Sequence, residues 1–140
     1  VKVKTYELIG HTADIGIRVQ AKDLNDLFIN SAQAIFEIIA ESKPAKKQIL
    51  KKFQIKQEAE SLEELFINWL NELLSLASAK GVIFSQFQIN KLDDNSLEAV
   101  AAGRDVENYR INTEVKAATH HQLKIRKTET GWLAEIIFDV

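Results

Sequence analysis

The fold of this 140-residue chain is decided by one stretch, SLEELFINWLNELLSLASAKG at residues 61–81. Ser61 followed three residues later by Glu64 matches a capping box, in which a hydroxyl and a carboxylate satisfy backbone N–H groups at a helix start. Gly81 is suited to end the helix, because glycine adopts the left-handed backbone conformation at little cost. Apolar residues recur between them at helical spacing, which predicts a buried face made of Leu62, Leu65, Phe66, Trp69, Leu70, Leu73, Leu74 and Ala77.

A second amphipathic helix is predicted upstream, where the apolar residues also recur at helical spacing. Asp23 is a suitable N-cap, and Asp26 adds a favourable negative charge in the first turn. Pro44, the only proline, marks the loop that follows. The predicted apolar face consists of Leu24, Leu27, Phe28, Ser31, Ala34, Ile35, Ile38 and Ile39.

The remaining apolar runs are of strand length. They lie at residues 4–9, 14–20, 49–57, 82–92, 97–102, 113–118, 123–127 and 132–140. Hairpin signals occur at 93–96 and 128–131, and 103–112 is expected to be a polar loop. Two helices on one face of a mostly antiparallel sheet give a two-layer α+β fold, in one domain spanning residues 1–140.

Composition excludes several classes of function. The net charge of −2 gives no general reason to bind nucleic acid, although a local basic patch stays open. The absence of cysteine excludes disulfides, thiolate zinc sites and thiol nucleophiles. No apolar run is long enough to span a membrane and no signal-peptide profile is present, so a cytoplasmic protein without a membrane partner is expected.

The stretch GHTADIG, residues 10–16, is unusual for a strand end. Two glycines, which let the backbone bend sharply or approach another group closely, bracket one imidazole, one hydroxyl and one carboxylate. Neighbouring strands could bring Asp14 alongside Asp139, and Val140 adds an α-carboxylate if it is the last residue. Three oxygen donors would then surround one point, an arrangement that suits Ca²⁺ or Mg²⁺. Two alternatives remain open, namely Asp14 as a local backbone acceptor and Asp139 as a solvated acid.

The three histidines form a competing set for zinc, which imidazole nitrogens bind well. His120 and His121 are adjacent, so on an extended strand their side chains would point to opposite faces. With His11 they match no standard zinc spacing, and the alternative is that all three are capping or surface residues.

Residues 114–117, Glu-Val-Lys-Ala, alternate in polarity. On a strand, Glu114 and Lys116 would share one face while Val115 and Ala117 share the other. Either both side chains are solvated, or the Lys116 ammonium is positioned to meet a phosphate or a partner's carboxylate. No nucleophile or phosphate-loop motif occurs in the chain.

Four motifs in order along the chain together resemble the archease family, namely residues 11–16 (HTADIG), 69–73 (WLNEL), 114–117 (EVKA) and 138–140 (FDV). The resemblance implies a small accessory protein of the RtcB-class tRNA-splicing ligase. That ligase uses GTP and divalent metal to join a 3′-phosphate or 2′,3′-cyclic phosphate RNA end to a 5′-hydroxyl. The accessory protein promotes its guanylylation and repeated turnover without catalysing ligation, and meets tRNA only through the ligase.

The resemblance also assigns residues by motif. It implies a divalent cation, Ca²⁺ first and Mg²⁺ or Mn²⁺ as alternatives, bound by Asp14, Asp139 and the backbone oxygen of Val140. It implies a role in ligase activation for Lys116, together with His11 and Glu114.

This chain departs from the family pattern at three places. Gly10 and Asn68 stand where an acidic residue is common, and Arg104 with Tyr109–Arg110 replaces a glutamate and a histidine. Independently of these departures, two other functions stay open: a metal-dependent hydrolase with the same carboxylates and His11 as general base, and a plain structural adapter.

Overall fold

The computed structural model describes residues 5–10, 14–43 and 49–140. In chain order its elements are β1 (Tyr6–Ile9), β2 (Ile15–Ala21), α1 (Leu24–Ile39), β3 (Ala40–Ser42), β4 (Lys51–Glu58), α2 (Leu62–Lys80), β5 (Val82–Leu92), β6 (Ser96–Asp105), a short 3-10 helix (Val106–Asn108), β7 (Tyr109–Ile111), β8 (Ala117–Lys127) and β9 (Trp132–Asp139). The predicted loop at Pro44 lies outside the described residues.

Both helices begin where the capping residues predict, and α2 also ends where Gly81 predicts. The Ser61 hydroxyl accepts a hydrogen bond from the Glu64 amide at 3.2 Å, and Asp23 Oδ1 accepts one from the Asp26 amide at 2.8 Å. Gly81 follows α2 with φ 64° and ψ 43°, the left-handed conformation in which glycine is favoured. The local signals for the two helices are therefore confirmed.

The predicted α+β class with antiparallel strands is confirmed, but the strands described here divide into three sheets. A four-stranded sheet has the order β1-β2-β9-β8, a three-stranded sheet has the order β4-β6-β5, and β3 pairs with β7. All these pairs are antiparallel. The strands β3 and β7 have three residues each, too few to show a periodic pattern, and β7 falls in the predicted polar loop.

The two helices cover both larger sheets. Helix α1 packs against β2 and β5, and α2 packs against β8, β5 and β4. The predicted helix faces are buried except at their ends and margins, where Leu24, Ile38, Leu62 and Ala77 are half-buried. Three residues outside the predicted faces are also buried, namely Ala32, Phe36 and Ile67. Neither described helix combines the length and the apolarity needed to cross a lipid bilayer.

Strand β8 differs from the prediction. The sequence indicates two strands, 113–118 and 123–127, whereas the structure has one strand that starts at Ala117. Its register against β9 shifts between Thr119 and Lys124, so that residues 120–123 lie opposite Ile136 alone. Gln122 adopts φ 54° there. This wide bulge interrupts the apolar pattern, which is why the sequence reads as two segments.

A row of alternating charge crosses the outer face of the four-stranded sheet. Arg18 pairs with Glu7 on one side and with Glu135 on the other, where Arg18 Nε lies 2.6 Å from Glu135 Oε2. Lys124 Nζ lies 3.6 Å from the second oxygen of Glu135. The hydrogen bond from Arg18, opposed by burial, lowers the pKa of Glu135 below its usual value. Because a one-residue slip would reverse the faces, this row favours the observed register.

Gly131 is required by close packing between the β8–β9 turn and β2. A Cβ atom at this position would lie 2.0 Å from the carbonyl oxygen of Ala21. We expect Gly131→Ala to lower the free energy of unfolding by about 2 kcal/mol, because backbone must move to relieve the clash. Urea denaturation measures the loss.

Gly10→Ala is the matched control. A Cβ atom on Gly10 meets no other heavy atom within 4 Å, and this glycine does not have a positive φ. Its substitution should therefore change stability by no more than about 0.5 kcal/mol. Equal losses of unfolding free energy in the two variants would show that the contact with Ala21 does not cause the destabilisation.

Candidate functional site

The two predicted acidic residues lie at one end of the four-stranded sheet, where β2 begins and β9 ends. Ile15 lies opposite Phe138 in the antiparallel register, so the next pair outward is Asp14 and Asp139. Asp14 is half-buried and Asp139 is exposed. The expectation that neighbouring strands bring these two positions alongside each other is met.

Lys116 lies at the same end of the sheet. Ala117 is opposite Asp139, and the Lys116 amide donates a hydrogen bond to the Asp139 carbonyl at 2.9 Å. Asp14, Asp139, Val140 and Lys116 are thus gathered at three adjacent strand ends.

The predicted strand at 113–118 is wrong in its first part, since residues 113–116 lie outside β8. The predicted alternation nevertheless holds for most of the segment. Glu114 and Lys116 are exposed, Val115 is buried and Ala117 is half-buried. Lys116 therefore faces solvent, as the sequence pattern indicates.

Asn71 is a site-supporting residue for which the sequence gives only a weak signal, a polar residue in the middle of an apolar helix run. Its side-chain amide donates to the Ala118 carbonyl at 3.1 Å, and its oxygen accepts from the Ala118 amide at 2.7 Å. Both polar groups of one β8 residue are thereby fixed to α2. This clamp holds the strand end that carries Lys116 and contacts Asp139.

The donor chemistry of the site fits a hard cation. In the described ranges, no hydrogen bond or ion pair engages the side chains of Asp14 or Asp139. Two neighbouring carboxylates without a cationic partner repel each other, and an ion with oxygen ligands relieves that repulsion. No three acidic or histidine side chains group together among residues 5–10, 14–43 and 49–140, so backbone oxygen or water would have to complete the coordination.

The histidine alternative receives no further support. His120 and His121 are both exposed in the bulge of β8. His11 lies outside the described residues, so its predicted roles in ligase activation, in zinc binding or as a general base stay predictions.

The departures from the family pattern lie in different settings. Asn68 is half-buried on α2, and Arg104 is half-buried near the end of β6. Arg110, on β7, forms an ion pair with Glu41 of β3 at 2.6 Å. Part of this departure thus serves the small β3–β7 sheet.

Known proteins resemble this chain over nearly its whole length. The sequence profile described as "Archease protein family (MTH1598/TM1083)" matches residues 6–140. The protein archease of Pyrococcus abyssi is 34% identical over 99% of this chain and 100% of its own length. That of Methanosarcina barkeri is 33% identical, covering 98% of this chain and 97% of its own.

This chain belongs to the archease family.

Solved structures agree with the archease fold. The solution structure of protein 1598 of Methanobacterium thermoautotrophicum matches with a TM-score of 0.75 and 27% identity, covering 99% of this chain and all of its own. The crystal structure of an archease from Thermotoga maritima, described as a possible chaperone, matches with a TM-score of 0.67 and 21% identity over 94% of both chains. The second likeness concerns the fold alone.

We expect Asn71→Ala to lower the free energy of unfolding by about 1–3 kcal/mol, because both polar groups of Ala118 lose their partners. Amide hydrogen exchange of Ala118 should accelerate more than that of Ile136 in the middle of β9. Asn90→Ala, on the exposed surface of β5, is the control and should change stability by about 0.5 kcal/mol at most. Unchanged protection of the Ala118 amide would contradict the role of the clamp.

Proposed function

We propose that this archease-family chain activates a cytoplasmic RtcB-class tRNA-splicing ligase, promoting its guanylylation and repeated turnover without joining RNA itself. The observation that carries the proposal is the hydrogen bond between the Lys116 amide and the Asp139 carbonyl. It places the lysine predicted to act on the ligase beside the residues predicted to hold a cation. Family membership supports the same role, since the motifs that carry it include both sets of residues.

The cation would be held by the carboxylates of Asp14 and Asp139 and by the backbone oxygen of Val140, with water completing the shell. Ca²⁺ is the first choice because it accepts an irregular set of carboxylate, carbonyl and water oxygens, whereas Mg²⁺ demands near-octahedral geometry. Mg²⁺ and Mn²⁺ are the alternatives. A bound divalent ion would neutralise the two carboxylates and tie the start of β2 to the end of β9.

Lys116 would act on the partner. Its side chain is exposed, and within the described part of the chain no acid pairs with it. An ammonium group on a flexible stem offers three donors that can adapt to a phosphate or a carboxylate. The backbone bond to Asp139 fixes the base of that stem, so the cation site and the lysine would be presented to the ligase as one surface. Exposed Glu114 extends the same surface.

Ca²⁺ should stabilise the folded chain, because it binds a state in which two carboxylates are gathered and has less affinity for the unfolded chain. At a free concentration 100 times the Kd, the expected gain in the free energy of unfolding is about 2.7 kcal/mol. Thermal melts with Ca²⁺, with Mg²⁺ and with chelator measure it.

The matched pair for that experiment is Asp14→Asn against Asp94→Asn. Asp94 is exposed in the β5–β6 turn and is not a proposed ligand, so its replacement by Asn removes the same charge and leaves the candidate site intact. Asp14→Asn should remove most of the shift while Asp94→Asn retains it. Identical melts of the wild-type chain in cation and in chelator would refute the cation site.

Lys116→Ala should uncouple function from folding. An exposed lysine contributes at most about 0.5 kcal/mol to stability, so the melting temperature should hardly change. The rate of ligase guanylylation, measured with substoichiometric amounts of this chain, should fall at least tenfold because the partner-directed ammonium is gone.

Lys52→Ala, an exposed lysine on β4, is the control and should activate the ligase like the wild type. Full activity of Lys116→Ala would count against the proposal. Turnover of phosphoesters by the isolated chain would instead favour the hydrolase alternative, and activation that survives Asp14→Asn would favour the plain adapter.

A further inference from the structure

Strand β8 and the residues beside it carry positive charge without negative charge. Residues 115–128 contain four of the 18 Lys and Arg residues and none of the 20 Asp and Glu residues, so the rest of the chain has 14 cationic against 20 acidic side chains. The four are Lys116, Lys124, Arg126 and Lys127, all exposed. The overall charge of −2 therefore conceals local basic stretches, and residues 43–57, with six lysines and no acidic residue, are a second one.

Strand β8 is an edge. In the part of the chain that the structure describes, β8 pairs with β9 on one side and with no strand on the other. An exposed edge can recruit a strand from another protein, but lysines and bulges are the features that block such pairing. Here residues 120–123 bulge and Gln122 turns into the left-handed conformation, so a partner strand could not pair along the whole edge.

The cationic side chains of this segment differ in the contacts that they make. Lys124 pairs with Glu135, and Lys127 lies 5.9 Å from the ring centre of Trp132. Arg126 and Lys116 have no acidic partner among the described residues. A row of exposed cations along an extended backbone attracts a linear polyanion, because each phosphate that it neutralises releases a counterion.

The bulge adds planar side chains to this row of cations. His120 and His121 are both exposed there, between Lys116 and Lys124. Imidazole rings and the planar guanidinium of Arg126 can stack on unpaired bases, a contact that a duplex does not offer. An acidic peptide would use the charges but not the rings.

We propose that the exposed cations and histidines between Lys116 and Lys127 bind the backbone and bases of single-stranded nucleic acid. This activity is distinct from ligase activation and needs neither the cation nor the ligase. Lys116 belongs to both surfaces, so the test variants leave it intact.

The probe is a fluorescently labelled 15-nucleotide oligouridine, with anisotropy measured for the isolated chain in chelator from 25 to 200 mM salt. Three to four neutralised phosphates would give a slope of log affinity against log salt of about −2 to −3. Arg126→Ala/Lys127→Ala should weaken binding at least tenfold at 50 mM salt and reduce the magnitude of the slope by about 1.4. His120→Ala/His121→Ala should weaken binding about fivefold or more with the slope unchanged, because stacking is not a charge contact.

The control is Lys52→Ala/Lys56→Ala, the same charge change on β4, which is the edge of the other sheet. It should bind within twofold of the wild type. Absence of binding at 25 mM salt, or equal loss of affinity in Arg126→Ala/Lys127→Ala and Lys52→Ala/Lys56→Ala, would overturn the proposal. So would displacement of the probe by polyglutamate at the same charge concentration, or tighter binding of a duplex.

A backbone amide NMR titration of the wild-type chain with the same oligonucleotide is the second measurement, since it does not depend on a folded variant. Shifts should concentrate on β8 and leave β4 unchanged. Shifts spread evenly over both edges would also overturn the assignment.

Discussion

The indole N–H of Trp69 donates a hydrogen bond to the Phe28 carbonyl at 3.0 Å in the fully buried interior, and this bond constrains how the two helices meet. An unpaired N–H at that depth would cost about 1–3 kcal/mol, so the helices are held in the one arrangement that pairs it. The same ring contacts Phe87 of β5, with 6.1 Å between the ring centres. Phe28 in turn meets Phe66 edge to face. One side chain thus links α1, α2 and the three-stranded sheet.

The link to the other sheet comes from the next residues of the same helix. Asn71 lies two residues after Trp69 and holds Ala118 of β8 by two hydrogen bonds. The five-residue motif at 69–73 therefore joins both sheets through one helix turn. Its resemblance to the archease pattern reflects architecture, whereas the motifs at the strand ends contain the residues that we propose to bind a cation and a partner. The geometry of the site therefore depends on Asn71, which is not among the residues proposed to bind the cation or the partner.

Local signals predict the starts of both helices and the end of α2 to the residue, because Asp23, Ser61 and Gly81 act on the backbone beside them. The division of the strands into sheets could not be predicted, since alternation reports which side of a strand is buried and not which strand is its neighbour. Residues 113–116 illustrate this limit. Val115 is buried and Lys116 is exposed, as they would be on a strand, yet the segment is not part of a strand. The approach of Asp14 to Asp139 was foreseeable once their strands were assumed to be neighbours. The Asn71 clamp was not, because it depends on where α2 crosses β8.

The position of β9 has a consequence for the order in which the protein can form. This strand occupies an inner place of the four-stranded sheet, between β2 and β8, although more than 110 residues separate Ile17 from its partner Ile136. While the ribosome is still translating the preceding residues, β1 and β2 can form only a two-stranded ribbon, which is marginally stable in water. Contacts of such long range form slowly, since the loop between them must close first. The end of the sheet that carries Asp14 and Asp139 can consequently assemble only after β9 has been translated, and a product truncated before β9 would lack Asp139.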